Sequence, residues 1–253
     1  DVIRAQVELG KLEDHLKSLE EFKIPLQARL NAALNRPSDT EIPWPQELPS
    51  EKLTISDAAV LEQLAATNPD LHALDFEMLK NRQEIELARK DYYPDITFGL
   101  NYIDTDNSSM SPSPQDNGKD PVIAMVSINL PLWRDKYDAG VRQARAQYHA
   151  TRRSKEDKVN NLSSLLKMTL YKFHDAERKI DLYQNALIPK AQQSLKVTES
   201  DYQAGKAGFL DLIDSQRILL EFELSFQRAM ADHAQKLAEI EMLAGDHVTL
   251  QAN

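Results

Sequence analysis

The chain contains 253 residues, with 40 acidic and 30 basic side chains, and so carries a formal net charge of -10. A nucleic-acid-binding protein normally has a basic patch or stripe, so this balance argues against that class. Because the chain has no cysteine, disulfide scaffolds, thiolate metal sites and cysteine nucleophiles are excluded. No apolar run approaches ~18 residues, so no membrane-spanning helix is expected, whereas the strands of a membrane barrel are short and alternate in polarity.

Helix-breaking residues are few and unevenly distributed. Only seven residues are glycine, no proline lies between Pro131 and Pro189, and none follows Pro189. Such uninterrupted stretches predict a mostly helical chain with long helices. The sequence begins at Asp1 inside a helical pattern, with neither an initiator methionine nor a signal peptide. We therefore expect an amino-terminal portion of the protein to precede it.

The first segment, residues 1–35, is predicted to be one helix with an apolar seam that faces another helix. Residues 36–67 contain several prolines and are predicted to be a linker that ends in a short helix from about Ser56 to Ala66. The seam of the first helix is spaced by alternating steps of three and four residues and consists of Leu9, Leu12, Leu16, Leu19, Leu26, Leu30 and Ala33.

The next helix is predicted from its amino-terminal signal. Asn68 is a good N-cap, and Pro69 follows at the first helical position, where its missing donor costs nothing. We expect this helix to reach Tyr93 and to stop at Pro94, since proline restricts the residue before it.

After Pro94 the hydrophobic period changes to two, which predicts two strands of about ten residues. Thr105 to Asp120, between them, is rich in Ser, Asp, Asn and Pro and is predicted to be a solvated loop. A tilted strand of this length is long enough to cross a bilayer. The alternating apolar residues are Ile96, Phe98, Leu100 and Tyr102 in the first strand, and Val122, Ala124, Val126, Ile128 and Leu130 in the second.

From about Asp138 the helical period returns and is predicted to form a long antiparallel hairpin. Between Val159 and Leu187 apolar positions alternate by three and four over four heptads, which is typical of a left-handed supercoil. Pro189 is expected to kink or interrupt this helix. The hairpin turns at Gly205–Gly208, and a final helix runs from Phe209 to about Ala244, where Gly245 follows as a stop signal.

The chain also contains an internal repeat at an offset of 210 residues. The segment Asp1–Gln6 aligns with Asp211–Gln216, and the same offset pairs Leu9 with Leu219. The first helix is therefore interpreted as a second copy of the last one.

These features together resemble the outer-membrane efflux proteins of the TolC family. The resemblance covers residues 1–245, and it depends on the order and spacing of several motifs. The motifs are Asn68-Pro69-Asp70-Leu71, Ala88-Arg89-Lys90-Asp91-Tyr92-Tyr93-Pro94-Asp95, Leu130-Pro131-Leu132-Trp133, Tyr202-Gln203-Ala204-Gly205 and Phe209-Leu210-Asp211-Leu212-Ile213-Asp214-Ser215-Gln216-Arg217.

The resemblance implies a mainly α fold with a β-hairpin, in which long antiparallel coiled-coil helices form an α-barrel and the two strands belong to a transmembrane β-barrel. It implies a homotrimer in the outer membrane of a Gram-negative bacterium, with most of this chain in the periplasm. It also implies contact with outer-membrane lipid, a periplasmic adaptor protein and an inner-membrane pump, and no cofactor. Each full chain would give four strands to a twelve-stranded barrel.

The resemblance also divides the chain into segments, with only the second of two repeats complete. The expected segments are residues 1–35 as the closing helix of the first repeat, 36–67 as an equatorial linker with a short helix, 68–94 as a helix of the second repeat, 95–131 as a transmembrane β-hairpin with an extracellular loop at 105–120, 132–245 as a long helical hairpin with its periplasmic tip near 205–208, and 246–253 as a tail.

Three groups of residues are candidate functional sites. Leu210, Asp214 and Arg217 share one helical face, and the resemblance implies that they help to close the periplasmic end of the tunnel. The alternative is that Asp214 and Arg217 form only a solvated ion pair. The aromatics flanking the strands are expected to anchor them at the membrane interfaces, or else to pack at helix–strand junctions. These aromatics are Tyr92, Tyr93, Tyr102 and Trp133. The resemblance also implies that the tip contacts an adaptor; the alternative is that the tip only reverses the backbone. The tip residues are Gly205, Lys206, Ala207 and Gly208.

The sequence gives no sign of catalysis or of a metal site. No two of the six histidines stand at helical ligand spacing, and no Ser/His/Asp grouping or glycine-rich phosphate loop is present. The resemblance therefore implies a passive outer-membrane exit channel of a tripartite efflux or secretion system, gated at its periplasmic tip, and not an enzyme. The alternatives are a periplasmic adaptor with a long helical hairpin and a soluble coiled-coil scaffold.

Overall fold

The computed structural model describes residues 2–45, 51–53, 55–106, 118–245 and 250–252. Two units are distinguished, one made of Asp1–Leu64 with Ser164–Asn253 and the other of Ala65–Ser163. The chain is mainly helical, as predicted. Its elements in order are α1 (Val2–Ala33), β1 (Glu51–Leu53), α2 (Asp57–Thr67), α3 (Pro69–Lys90), β2 (Asp95–Tyr102), β3 (Val122–Asn129), α4 (Arg134–Leu182), a π-helical turn (Tyr183–Leu187), α5 (Ile188–Gln203), α6 (Phe209–Ala244) and β4 (Leu250–Ala252).

Helix α3 begins at the predicted cap. The Asn68 side chain accepts hydrogen bonds from the backbone N–H groups of Asp70 (3.0 Å) and Leu71 (3.3 Å). The helix ends at Lys90, three residues before the predicted end at Tyr93, and the Tyr93 N–H donates to the Lys90 carbonyl in a turn at 2.9 Å. Tyr93 precedes Pro94, and the proline ring disfavours helical geometry at that residue.

Within the unit Ala65–Ser163, α3 packs antiparallel to the first part of α4. The buried Asn81 side chain donates to the Thr151 hydroxyl at 2.8 Å, and the two residues are 2% and 4% exposed. Farther along the same two helices, Lys158 forms an ion pair with Asp70 at 2.7 Å. These contacts fix the register of the two helices.

Strands β2 and β3 form an antiparallel hairpin of eight residue pairs, slightly shorter than the ten residues predicted for each strand. Directly opposed side chains lie on the same face of an antiparallel pair, so the register sorts them into two faces. One face carries the pairs Ile96–Ile128, Phe98–Val126, Leu100–Ala124 and Tyr102–Val122. The other carries Asp95–Asn129, Thr97–Ser127, Gly99–Met125 and Asn101–Ile123.

In the other unit, a buried seam joins α4 to α6. The predicted supercoil positions Leu166, Thr169, Phe173 and Ala176 are at most 3% exposed, which confirms that they face a partner helix. The Phe173 ring stacks on that of His233 with 4.3 Å between centroids. Burial of such rings and aliphatic chains stabilises the pair by about 1.5–3 kcal/mol per side chain.

The long helix is interrupted one turn before the expected position. The Ile188 N–H donates to the Tyr183 carbonyl, five residues back, so Tyr183–Leu187 is a π-helical turn. Pro189 then lies in the first turn of α5, where its missing N–H is tolerated. The proline therefore starts a new helix, and the irregular turn precedes it.

Helix α1 ends in a buried polar contact with the linker that follows it. The Asn31 amide donates to the carbonyls of Ser38 (3.1 Å) and Thr40 (2.8 Å). Asn35 has a φ of 54° and terminates the helix in the left-handed conformation. In contrast, the predicted seam stays open, since Leu9 and Leu16 are 56% and 58% exposed.

Several predicted features fall outside the described residues. These are Asp1, part of the linker (46–50 and 54), most of the predicted loop (107–117) and most of the tail (246–249 and 253). At the edge of these gaps, β1 pairs antiparallel with β4.

Among the residues that the structure describes, no helix combines the length and apolar character required to cross a membrane.

Candidate functional site

The predicted tip is a four-residue turn that reverses the chain between α5 and α6. The Lys206 N–H donates to the Asp201 carbonyl at 2.8 Å, and the Gly205 N–H donates to the Tyr202 carbonyl at 3.0 Å. This pair of bonds is a Schellman motif, which needs a left-handed residue after the helix. Gly205 supplies it with a φ of 70°. The glycine therefore satisfies a backbone requirement of the turn.

Helix α6 restarts immediately after the turn. The Gly208 N–H donates to the Asp211 carboxylate at 2.8 Å, which satisfies a donor at the helix start. The rings of Tyr202 and Phe209 approach to 6.2 Å across the turn. Lys206 is exposed and Ala207 is half-buried, so the end of the hairpin presents one cation to solvent.

The three predicted gate residues lie on the first turns of α6 and are accessible in this chain. Arg217 approaches the Asp214 carboxylate at 3.5 Å, and both side chains are more than 60% exposed. Leu210 is 46% exposed. The solvated ion pair that was the alternative is thus present, and the role of this face in closing a tunnel stays a prediction.

Helix α1 adds a charged residue that sequence reasoning missed. Arg217 also lies 3.9 Å from the Glu8 carboxylate, and Lys11 pairs with Glu8 at 3.0 Å. The hydrogen bond from Lys11, with the charge of Arg217 as a smaller contribution, lowers the pKa of Glu8 below its usual value. No local sequence signal indicates this contact, because Glu8 and Arg217 are far apart in the chain.

The structure brings Arg4 and Asp214 to the same groove, which has a volume of about 320 Å3 between the starts of α1 and α6. The internal repeat pairs these two positions, so equivalent places in the two copies carry opposite charges. Ile3 and Leu210 also line the groove. The face around Asp214 therefore combines apolar side chains with charges of both signs.

The four predicted interface aromatics lie around the ends of the strand hairpin. Tyr93, Tyr102 and Trp133 are 68%, 64% and 79% exposed. Tyr92 is packed instead: its hydroxyl donates to Asp138 and its ring lies 5.7 Å from Tyr137. Three of these aromatics are thus exposed in this chain, whereas Tyr92 packs at a helix–strand junction, and the membrane-interface role stays a prediction.

One histidine forms ion pairs that the sequence did not indicate. His174 lies 3.1 Å from the Asp57 carboxylate, at the first turn of α2, and 3.6 Å from Glu177. Partial burial opposes protonation, but the hydrogen bonds and charges of Asp57 and then Glu177 outweigh it, and the pKa of His174 is raised. Burial lowers the pKa of the neighbouring His233. Within the described part of the chain, no group of three or more His, Asp or Glu side chains is arranged to hold a metal ion.

The fold is similar to those of outer membrane proteins of known structure. VceC from Vibrio cholerae superposes with a TM-score of 0.74 at 17% identity over 97% of this chain and 58% of VceC. The open state of the MtrE outer membrane channel from Neisseria gonorrhoeae gives 0.68 at 21% identity, over 88% of this chain and 50% of MtrE. The CmeC outer membrane channel from Campylobacter jejuni gives a TM-score of 0.62 at 14% identity, over 84% of this chain and 49% of CmeC. The chain thus spans about half the length of these proteins.

No curated protein matches the sequence of this chain. The sequence profile of the family described as outer membrane efflux protein, in contrast, matches residues 60–246, which is most of the chain. This family consists of transport proteins, in agreement with the prediction that the chain is not an enzyme. The chain belongs to the outer membrane efflux protein family.

Proposed function

We propose that the full-length protein is a passive exit channel in the outer membrane of a Gram-negative bacterium, serving a tripartite efflux or secretion system. It works as a homotrimer whose helices form a water-filled periplasmic tunnel. An inner-membrane pump supplies the energy, and a periplasmic adaptor joins the pump to the tip. The family membership supports this channel over the alternatives of an adaptor or a soluble scaffold.

The observation that carries the proposal is the two-faced strand hairpin. Its four apolar pairs all lie on one face, and its two polar pairs lie on the other, together with Gly99–Met125 and Asn101–Ile123. Eight residues at about 3.3 Å each give a length of about 26 Å, which at a tilt of about 40° spans roughly 20 Å of the ~25 Å apolar band of membrane barrels. A lipid-facing side and a lumen-facing side are what such a strand needs.

An isolated hairpin of this kind is incomplete in lipid. The outer edges of β2 and β3 have no strand partner among the described residues, and unpaired backbone groups are costly in hydrocarbon. Closure with strands from the upstream repeat and from two further subunits removes these edges. The exposed seam of α1 likewise supports packing against helices outside this chain.

The tip is the proposed gate. A trimer brings three copies of Asp214 towards the axis, where a ring of carboxylates favours cations. Arg217 holds Asp214 within the same subunit and reaches Glu8 on α1, so movement of α6 against α1 changes these ion pairs. Adaptor contact at Gly205–Gly208 biases the equilibrium between closed and open arrangements.

Two adjacent residues on opposite faces of β2 test the membrane assignment in the full-length protein. Phe98→Arg places a charge on the proposed lipid face, at a cost of about 2–4 kcal/mol near the bilayer midplane. We expect it to abolish insertion of the trimer into membranes, whereas Thr97→Arg, on the proposed lumen face, is tolerated. Equal tolerance of both substitutions, in trimers extracted from the membrane and resolved by size, would contradict the barrel.

Planar-bilayer conductance tests the gate. We expect a small, mostly closed conductance that rises in Asp214→Ala and not in the control Glu199→Ala, an exposed carboxylate on α5. A clear conductance that is unchanged by Asp214→Ala would show that the gate lies elsewhere in the channel. If a folded trimer shows no conductance at all, the proposal of a channel is itself contradicted.

Crosslinking tests the tip. A cysteine at Lys206 or Ala207 is expected to crosslink to a cognate adaptor, whereas a cysteine at Ser109, in the predicted extracellular loop, is not. Crosslinking from Ser109 and not from the turn would reverse the proposed orientation.

A further inference from the structure

Helices α3 and α4 form a groove in which two of three arginines lack acidic partners among the described residues. The groove has a volume of about 470 Å3 and lies within the unit Ala65–Ser163. Its register is set by the Asn81–Thr151 hydrogen bond nearby, so the two helices hold their side chains in fixed positions. The lining residues are Arg82, Ile85, Glu86 and Arg89 from α3, and Arg145 and Tyr148 from α4.

The charge of this groove is only partly balanced. Arg89 pairs with Glu86 at 2.7 Å, and Glu86 is the single carboxylate in the lining. Arg82 and Arg145 form no ion pair with any described residue, and the half-buried Tyr148 hydroxyl forms no hydrogen bond within the same ranges. Two guanidinium groups and a hydroxyl, all lining the same groove, are therefore available as hydrogen-bond donors.

The local charge also departs from that of the chain as a whole. The first 20 residues of α4, 134–153, contain six basic and two acidic side chains, in a chain with a net charge of -10. An anion is therefore attracted to this part of α4 even though the whole protein repels it.

We propose that this groove binds a phosphate group, held by Arg82 and Arg145 with Tyr148 as a third donor. Arginine presents a rigid fork of N–H donors that matches phosphate oxygens bidentately, and its charge shortens and strengthens the bonds. Three donors from two helices can surround one tetrahedral anion. Glu86 stays paired with Arg89 and so contributes little repulsion.

Two sources can supply this phosphate: a soluble phosphate compound, or the headgroup of an anionic phospholipid. The lipid source rests on the proposed function, because α3 and α4 lead directly into the strands that are assigned to the membrane. The phosphate chemistry itself rests only on the groove.

The test uses the full-length protein in a neutral detergent at low ionic strength, with inorganic phosphate as the probe and calorimetric titration as the readout. The groove variant Arg82→Gln/Arg145→Gln removes both unpaired guanidinium groups. The matched control Arg152→Gln/Arg153→Gln removes the same charge from α4 outside the groove, where both arginines already pair with Glu156 at 3.2 and 2.7 Å. We expect the groove variant to weaken phosphate binding at least tenfold and the control to change it less than twofold.

Absence of phosphate binding to the unsubstituted protein overturns the proposal, and so does equal weakening by both variants, which would indicate only a diffuse charge effect. A short-chain phosphatidylglycerol that displaces phosphate from the groove, and fails to bind the groove variant, identifies the lipid headgroup as the source. Phosphate binding without such displacement identifies a soluble source. Conductance of the same preparation is measured separately, so that loss of the channel and loss of the phosphate site are distinguished.

Discussion

The buried hydrogen bond between Asn81 and Thr151 gives a quantitative test of how α3 and α4 are held together. Both residues are at most 4% exposed, and the 2.8 Å bond joins two helices that otherwise meet through apolar contacts and ion pairs near solvent. Replacement of Asn81 by alanine leaves the Thr151 hydroxyl without this partner and removes the amide volume. We expect α3 and α4 to open more readily in this variant.

The magnitude follows from the cost of leaving a buried polar group unpaired, about 1–3 kcal/mol. Since about 1.4 kcal/mol corresponds to a factor of ten, amide hydrogen exchange in α3 and the start of α4 should accelerate roughly 5- to 150-fold. Thr151→Val leaves the Asn81 amide unpaired instead and should have a similar effect. Asn81→Leu combined with Thr151→Val replaces both partners with apolar groups and should be much less harmful than either loss alone.

Hydrogen exchange of the full-length protein, resolved by peptide, is the appropriate measurement because it reports local opening without complete unfolding. Arg153→Ala is the control: its side chain is 77% exposed and pairs with Glu156 on the same helix, so we expect less than about 0.5 kcal/mol. Exchange in Asn81→Ala within twofold of the unsubstituted protein would refute the reasoning. A double variant that is as unstable as the sum of Asn81→Leu and Thr151→Val, each measured alone, would also refute it, because the energetic coupling between the residues would then be absent.

Three further predictions concern the turn at Gly205, the His174–Asp57 ion pair and the buried Phe173 ring. Gly205→Ala forces a left-handed alanine and should lower the opening free energy of the turn, measured by hydrogen exchange, by about 1–2 kcal/mol. The control Gly140→Ala lies in helix α4 with open space around the added methyl group, and it should raise the local opening free energy by up to about 1 kcal/mol. The His174–Asp57 ion pair should stabilise the start of α2 at pH below ~6.5 and lose that effect as pH rises through the raised pKa of His174, a pH dependence of exchange that His174→Gln removes. Because the pair is about half exposed, its effect should be below about 1 kcal/mol. Phe173→Ala removes a ring that is 1% exposed and should lower the free energy of unfolding by about 3–5 kcal/mol, measured by denaturant titration.

The sequence predicts the fold well where a feature depends on periodicity or on a local cap. Asn68 is the cap that was expected, and the alternation of Ile96, Phe98 and Leu100 identifies the face that pairs with Val126 and its neighbours. Both signals arise from backbone geometry, which repeats every 3.6 or 2 residues whatever the rest of the chain does. Boundaries are predicted less well, as the early end of α3 shows, because they depend on how a turn is satisfied locally.

The candidate sites divide in the same way. The turn at Gly205 is predictable because a left-handed residue after a helix favours glycine, and the residues of α6 beyond it share a face by simple helical spacing. Glu8, which approaches Arg217, and Asp57, which pairs with His174, are not predictable, because each contact joins residues far apart in the chain and involves exposed charges with no periodic signal.

The groove between α3 and α4 shows why such long-range contacts matter for function. Along the sequence, Arg82 and Arg145 are ordinary exposed positions on two different helices, and neither has a spacing that indicates a ligand. They converge only because buried Asn81 and Thr151 set the register of the pair. A change of one helical turn in that register would shift α4 by about 5.4 Å along α3 and separate the two guanidinium groups. The buried polar pair that the stability experiment probes is therefore also the structural condition for the phosphate site, and Asn81→Ala should weaken phosphate binding although Asn81 itself does not line the groove.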